Sequence, residues 1–214
     1  NYFEDQKKKI GIDKYFSDLK SGKLMDRLIC GDVGYGKTEI ALRASFMASM
    51  AGFQVALIAP TTLLVKQHVK NFKERFRGFP VKINELSRFI KANQSAIVRN
   101  EIRTGETQII IGTHSLIQDT VIFKKLGLAI IDEQHRFGVY QRMVFNHKNQ
   151  KPNILVMSAT PIPRTLTLAA YGDMSESRLI EKPIGRKSIL TTSLTLNKEK
   201  NLIKSVKKKI NGTS

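Results

Sequence analysis

The chain has 214 residues, of which 41% are hydrophobic, and its 36 Lys and Arg outweigh 18 Asp and Glu for a formal net charge of +18. One cysteine, Cys30, excludes a disulfide scaffold, and no apolar run approaches the roughly 18–20 residues of a membrane span. The charge points to a polyanionic partner, nucleic acid first, with a basic solvated surface as the plainer alternative.

Residues 4–20 read as a helix that buries Ile10, Tyr15, Phe16 and Leu19 and stops at Ser21-Gly22. An apolar strand follows over Leu24–Cys30, then a glycine-rich turn over Gly31–Gly36 and a helix from Lys37 to Met50. Gln54–Ala59 is a strand stopped by Pro60. Thr61–Phe76 is an amphipathic helix, with Val65, Val69, Phe72 and Phe76 inward and Lys66, Lys70, Lys73 and Arg77 outward. Val81–Leu86 is a strand, Ala92–Thr104 a helix, and Gln108–Ile111, Leu126–Ile131 and Asn153–Met157 are strands. After Pro183-Ile184-Gly185 the pattern changes to a strand over Ile189–Leu196 and a basic helix over Lys198–Ile210.

Strands alternating with helices for about 160 residues give an α/β class. Because the strands are continuous apolar runs, the expected sheet is mostly parallel, of about six or seven strands, with helices on both faces. The basic residues are uneven: residues 61–110 hold ten Lys/Arg against four Asp/Glu, and residues 180–214 hold nine against two. A reducing, cytoplasmic setting without a membrane anchor is expected. The start at Asn1 and stop at Ser214 read as a piece of a longer chain.

Gly31-Asp32-Val33-Gly34-Tyr35-Gly36-Lys37-Thr38 satisfies G-x-x-x-x-G-K-[ST], with a strand before it and a helix after it. The glycines let backbone N–H groups turn inward toward phosphate oxygens, and the helix N-terminus adds positive potential. Lys37 is expected to reach the β- and γ-phosphates of a nucleotide, and the Thr38 hydroxyl to ligate Mg²⁺. Downstream, Leu128-Ala129-Ile130-Ile131 is a buried strand ending in Asp132-Glu133-Gln134-His135. Asp132 at the strand tip suits Mg²⁺ held through water, and Glu133 suits a base for the attacking water. His135 is either an ordinary loop histidine or a switch beside the pair.

The phosphate loop, Asp132–His135 and Ser158-Ala159-Thr160 occur in the order found in superfamily 2 helicases and translocases. The resemblance narrows to the branch holding RecG and the transcription-repair coupling factor Mfd. It rests on Met25–Leu28, Gly31–Glu39, Pro60–Leu64, Gly112–His114, His135–Val139 and Ser158–Thr165. Up to Ser87-Arg88-Phe89 the chain is more similar to Mfd; from Gly112 onward it is more similar to RecG.

That resemblance implies the first RecA-like lobe of an ATP-driven motor on double-stranded or branched DNA, active in repair or recombination in the bacterial cytoplasm. Residues 1–185 would be the lobe, and 186–214 a linker and possible start of a second. It implies that Gln6 near Phe3 contacts adenine, although an exposed helical glutamine is also open. It implies DNA-backbone contacts, independent of base sequence, from Thr61, Thr62, Arg88, Gly112, Thr113 and His114. Thr61 equally suits a helix N-cap. Ser158, Ala159, Thr160 and Arg164 would couple ATP to DNA. Partners implied are DNA, the second lobe and, on the Mfd side, RNA polymerase. The second lobe would supply arginine fingers, worth roughly 10³–10⁵ in rate, so the piece alone should be a weak ATPase. A nucleotide-gated DNA-binding module without useful turnover is the alternative. A small kinase or GTPase is disfavoured by Asp132–His135 and Ser158–Thr160.

Overall fold

The computed structural model describes residues 25–132, 151–159, 174–180 and 203. The chain divides into two compact units, Asn1–Pro183 and Ile184–Ser214. The described part of the first is a seven-stranded sheet in the order β3-β4-β2-β5-β6-β1-β7. Its strands are β1 Asp26–Gly31, β2 Gln54–Ile58, β3 Ile83–Leu86, β4 Ile109–Gly112, β5 Leu126–Asp132, β6 Asn153–Ser158 and β7 Ser175–Leu179. Every neighbouring pair is parallel.

The helices are α1 Lys37–Met50, α2 Thr62–Arg75 and α3 Ala92–Thr104, with a 3₁₀ turn at His114–Ile117. The limits of α1 and α3 coincide with those read from the sequence. Four local signals explain the helix ends. Gly36 caps the start of α1 in the left-handed region. Gly52, at φ 77°, ends α1 with its N–H donating to the Ser49 carbonyl while the Phe53 N–H reaches the Ala48 carbonyl. The Thr61 hydroxyl accepts from the Leu64 N–H at 3.3 Å as the N-cap of α2. Gly105, again left-handed, closes α3.

Successive strand residues point to opposite faces of the sheet. On one face Ile29, Val55, Leu57, Ile109, Ile111, Leu128, Ile130 and Leu155 pack with Ile40, Ala41 and Ala44 of α1 and Val65 and Phe72 of α2. On the other, Ala56, Ile58, Ile110 and Ala129 pack with Val98 and Ile102 of α3 and with Leu116 and Ile117. Each fully buried Ile or Leu contributes about 1.5–3 kcal/mol. This places helices on both faces, as the apolar runs require.

Two features depart from the reading of the sequence. β7 was not anticipated; its Ser-Glu-Ser-Arg-Leu has no apolar run and is a strand only because it pairs with β1, which it also meets through Arg27 Nη1 donating to Ser177 Oγ at 2.7 Å. On α2, Val69 packs half-buried against the core as expected, but the fully buried stripe also holds His68. The expected helix over 4–20, the strand over 189–196 and the helix over 198–210 lie outside the described residues, apart from Ile203, which is helical.

Candidate active site

The carboxyl ends of β1, β6 and β5 lie side by side in the sheet. In register, Cys30 of β1 faces Ser158 of β6, and Met157 of β6 faces Asp132 of β5. With strands about 4.8 Å apart, the tip of β5 stands about 10 Å from that of β1. Ser158 is buried at the tip between them, and Ala159 is half-buried beyond it.

Gly31 ends β1 and the chain turns through Asp32 and Val33, both exposed. Asp32 Oδ1 accepts from the Val33 N–H at 2.7 Å, and the Tyr35 N–H donates to the Asp32 carbonyl at 3.2 Å. Gly34 and Gly36 have φ of 81° and 91°, a left-handed pair that a side chain would strain. Gly31 is needed for another reason: a Cβ there would sit 2.9 Å from Leu179 Cβ on β7.

No side chain caps the N-terminus of α1. The Glu39 N–H donates to the Gly36 carbonyl at 3.0 Å, so the first-turn donors open to a ligand are the N–H groups of Lys37 and Thr38, a set suited to phosphate. Lys37 is buried, and its Nζ donates to the Gly31 carbonyl at 2.5 Å and the Asp32 carbonyl at 3.1 Å. The charge is thus held at the inner side of the loop. Thr38 is half-buried in the same turn. Glu39 beside it accepts from Arg43 Nε at 3.0 Å and from Arg75 Nη2 at 2.6 Å, joining α1 to the end of α2.

Asp132 is buried at the tip of β5. Its Oδ2 lies 2.6 Å from His68 Nε2 on α2. The sequence alone did not single out His68. Among the described residues no group of three or more His, Cys, Asp or Glu side chains could hold a metal ion. Asp132 and Thr38 would supply one carboxylate and one hydroxyl. That sparse oxygen set fits Mg²⁺, which keeps several waters and takes its other ligands from substrate phosphates.

The other half of the sheet, β3-β4-β2, carries the remaining expected residues at the same end. Thr61 is exposed at the start of α2 and Thr62 half-buried. Arg88, exposed after β3, sits 5.2 Å from the ring centroid of the exposed Phe89, and Lys66 Nζ lies 6.0 Å from that ring. Gly112 and Thr113 are buried and His114 is exposed. Thr113 Oγ1 is 3.3 Å from Ser115 Oγ. Phe3, Gln6, Glu133, His135, Thr160 and Arg164 lie outside the described residues.

A DEAD/DEAH box helicase family model matches residues 13–169. A transcription-repair-coupling factor of Haemophilus influenzae is 47% identical over 188 residues, covering 88% of this chain and 16% of that protein. The ATP-dependent DNA helicase RecG of Streptococcus pneumoniae is 47% identical over 180 residues, covering 84% of this chain and 26% of that protein. The chain therefore spans about a sixth to a quarter of the length of these relatives. A structure of RecG bound to a three-way DNA junction superposes with a TM-score of 0.82 at 36% identity, over 98% of this chain and 28% of that one. No helix among the described residues is long and apolar enough to cross a membrane.

Proposed function

Since the chain belongs to the DEAD/DEAH box helicase family, we propose that it is the first, ATP-binding lobe of a translocase that moves on double-stranded or branched DNA during repair or recombination. The observation that carries this reading is the division of one sheet edge. Phosphate loop, Ser158 and Asp132 occupy the tips of β1, β6 and β5, while the loops bearing Thr61, Arg88 and His114 follow β2, β3 and β4. Nucleotide and DNA would then bind at the same end of one rigid sheet, as ligands do in open α/β sheets.

The first-turn N–H groups of α1 and the Lys37 ammonium receive the phosphates of ATP, with Gln6 and Phe3 against the adenine. Thr38 and Asp132 would hold Mg²⁺, which when bound would supply positive charge to offset that on the phosphate oxygens. Glu133, the next residue after the β5 tip, orients the attacking water and accepts its proton. Ser158 and Ala159, with Thr160 and Arg164 beyond them and His135 after β5, pass the state of the nucleotide to the DNA side. Thr61, Thr62, Arg88 and Gly112–His114 face the phosphate backbone, contacts that position a protein without reading sequence. Residues 1–185 form this lobe and 186–214 lead toward a second, whose arginines complete the ATP site.

The test is ATP hydrolysis by the full-length protein with and without duplex or junction DNA. DNA should stimulate turnover, Lys37→Ala should weaken ATP binding, and Glu133→Gln should bind ATP normally while lowering kcat by orders of magnitude. Near wild-type hydrolysis by Glu133→Gln would overturn the assignment of the base. ATP-dependent DNA binding without stimulated turnover would favour a nucleotide-gated binding module.

A further inference from the structure

His68 lies in the middle of α2, buried in the stripe between Val65 and Phe72, with its ring edge-on to Phe72 at 6.4 Å between centroids. A leucine would complete that stripe. Instead Nε2 contacts Asp132 Oδ2 at 2.6 Å, while Nδ1 is buried and has no hydrogen-bond partner among the described residues. A carboxylate only accepts, so the Nε2 proton is the one donated. The unsatisfied Nδ1 is a burden that an apolar side chain would avoid, and the bond to Asp132 is what the imidazole gives in return.

The two residues come from opposite halves of the sheet edge. Asp132 ends β5, on the nucleotide side, and α2 follows β2, on the side of the DNA-facing loops. His68 is seven residues past Thr61, so about 10 Å of continuous helix separates the N-cap from the imidazole. One carboxylate oxygen is engaged by His68, and the other would remain for magnesium.

We propose that His68 is a positioning residue for Asp132, fixing the carboxylate so that it contributes to magnesium-dependent nucleotide binding. This rests on Asp132 as the magnesium carboxylate. Partners of metal-binding groups commonly change metal affinity by 10–100-fold when removed.

The experiment measures the affinity of the full-length protein for a fluorescent, non-hydrolysable ATP analogue in excess Mg²⁺ and again in excess EDTA, together with the melting temperature. The ratio of the two affinities is the magnesium-dependent gain. His68→Leu, which fills the space but cannot donate, should lower that gain by about tenfold and leave the EDTA affinity unchanged. His68→Gln, whose amide nitrogen reaches the place of Nε2, should keep the gain within about threefold of wild type, whereas the shorter His68→Asn should lose it. The Gln and Asn pair decides the matter should the Leu variant fail to fold. Equal losses in Mg²⁺ and EDTA, an unchanged gain in His68→Asn, or a gain lost in a stably folded His68→Gln would each overturn the proposal. Asp132→Ala in the same assay separates the two ideas. If it keeps the gain, the magnesium reading of Asp132 falls and the positioning role with it. If it loses the gain while the His68 variants keep theirs, only the positioning role falls.

Discussion

The Lys124 backbone N–H donates to Gln54 Oε1 at 2.8 Å, fixing the approach to β5 against the first residue of β2. The same oxygen accepts from the Lys125 N–H at 3.0 Å, and Nε2 donates to the carbonyls of Ile102 and Thr107, each at 2.9 Å. One buried amide thus closes four backbone groups at the amino ends of the strands, away from the site. Gln54→Leu should destabilise the fold by about 2–4 kcal/mol, because the buried Thr107 carbonyl and the partly buried Lys124 and Lys125 N–H groups lose this partner, while Ile102 keeps the Gly105 N–H. Denaturant unfolding would show the loss, and nucleotide affinity of the folded variant should be unchanged.

Gly112 was singled out by its resemblance to a DNA-contacting element, and the structure adds a packing reason for it. A Cβ there would lie 2.3 Å from the Leu86 carbonyl oxygen and 2.8 Å from Leu116 Cγ. The first of these is backbone and cannot rotate away. Gly112→Ala should force β3 and β4 apart and cost about 1–3 kcal/mol, read as a lower melting temperature both with and without DNA. A variant of wild-type stability that is defective only in DNA binding would show that packing is not what requires the glycine.

Glu101 on α3 is held below the ordinary carboxylate range, first by its bond to Lys82, with Thr107 and Asn84 adding hydrogen bonds. A carboxyl whose pKa is lowered on folding stabilises the fold fully above its unfolded pKa, about 4.3, and loses that contribution as pH falls through the lower folded value. Glu101→Gln should therefore be less stable than wild type at neutral pH and lose less stability on acidification. Parallel slopes for the two proteins below pH 5 would contradict this.

Arg88 is exposed and lies beside Phe89 and Lys66 at the tip of the sheet. If it contacts a DNA phosphate, Arg88→Ala should weaken binding equally for unrelated duplexes and reduce the slope of log affinity against log salt by about one unit. A loss confined to one sequence would mean that Arg88 reads bases.

The placement of Lys37 and Thr38 at the start of α1 was legible because the turn is a local device, whose glycines, lysine and hydroxyl occur at fixed separations. The place of Asp132 at a strand tip was legible because a buried apolar run ends there, and it drew notice as a site candidate only because it follows a complete G-x-x-x-x-G-K-[ST] motif. His68 was not. At its position in α2 a single histidine among Val65, Val69 and Phe72 reads as an interruption of the stripe, and only the placement of β5 next to β2 reveals what it faces. β7 escaped for the opposite reason. As described, it pairs only with β1, and its polar, half-exposed side chains carry no apolar pattern to detect.

Lys37 already rests on the carbonyls of Gly31 and Asp32. Much of its dehydration and of the ordering of its four-carbon stem therefore accompanies folding, and an arriving phosphate would exchange carbonyl dipoles for full charges. Because this cation is buried, mobile ions screen it less than they screen Arg88 or Lys66. Two polyanions would then meet the same lobe under different rules: nucleotide affinity should vary little with ionic strength over a range in which DNA is released.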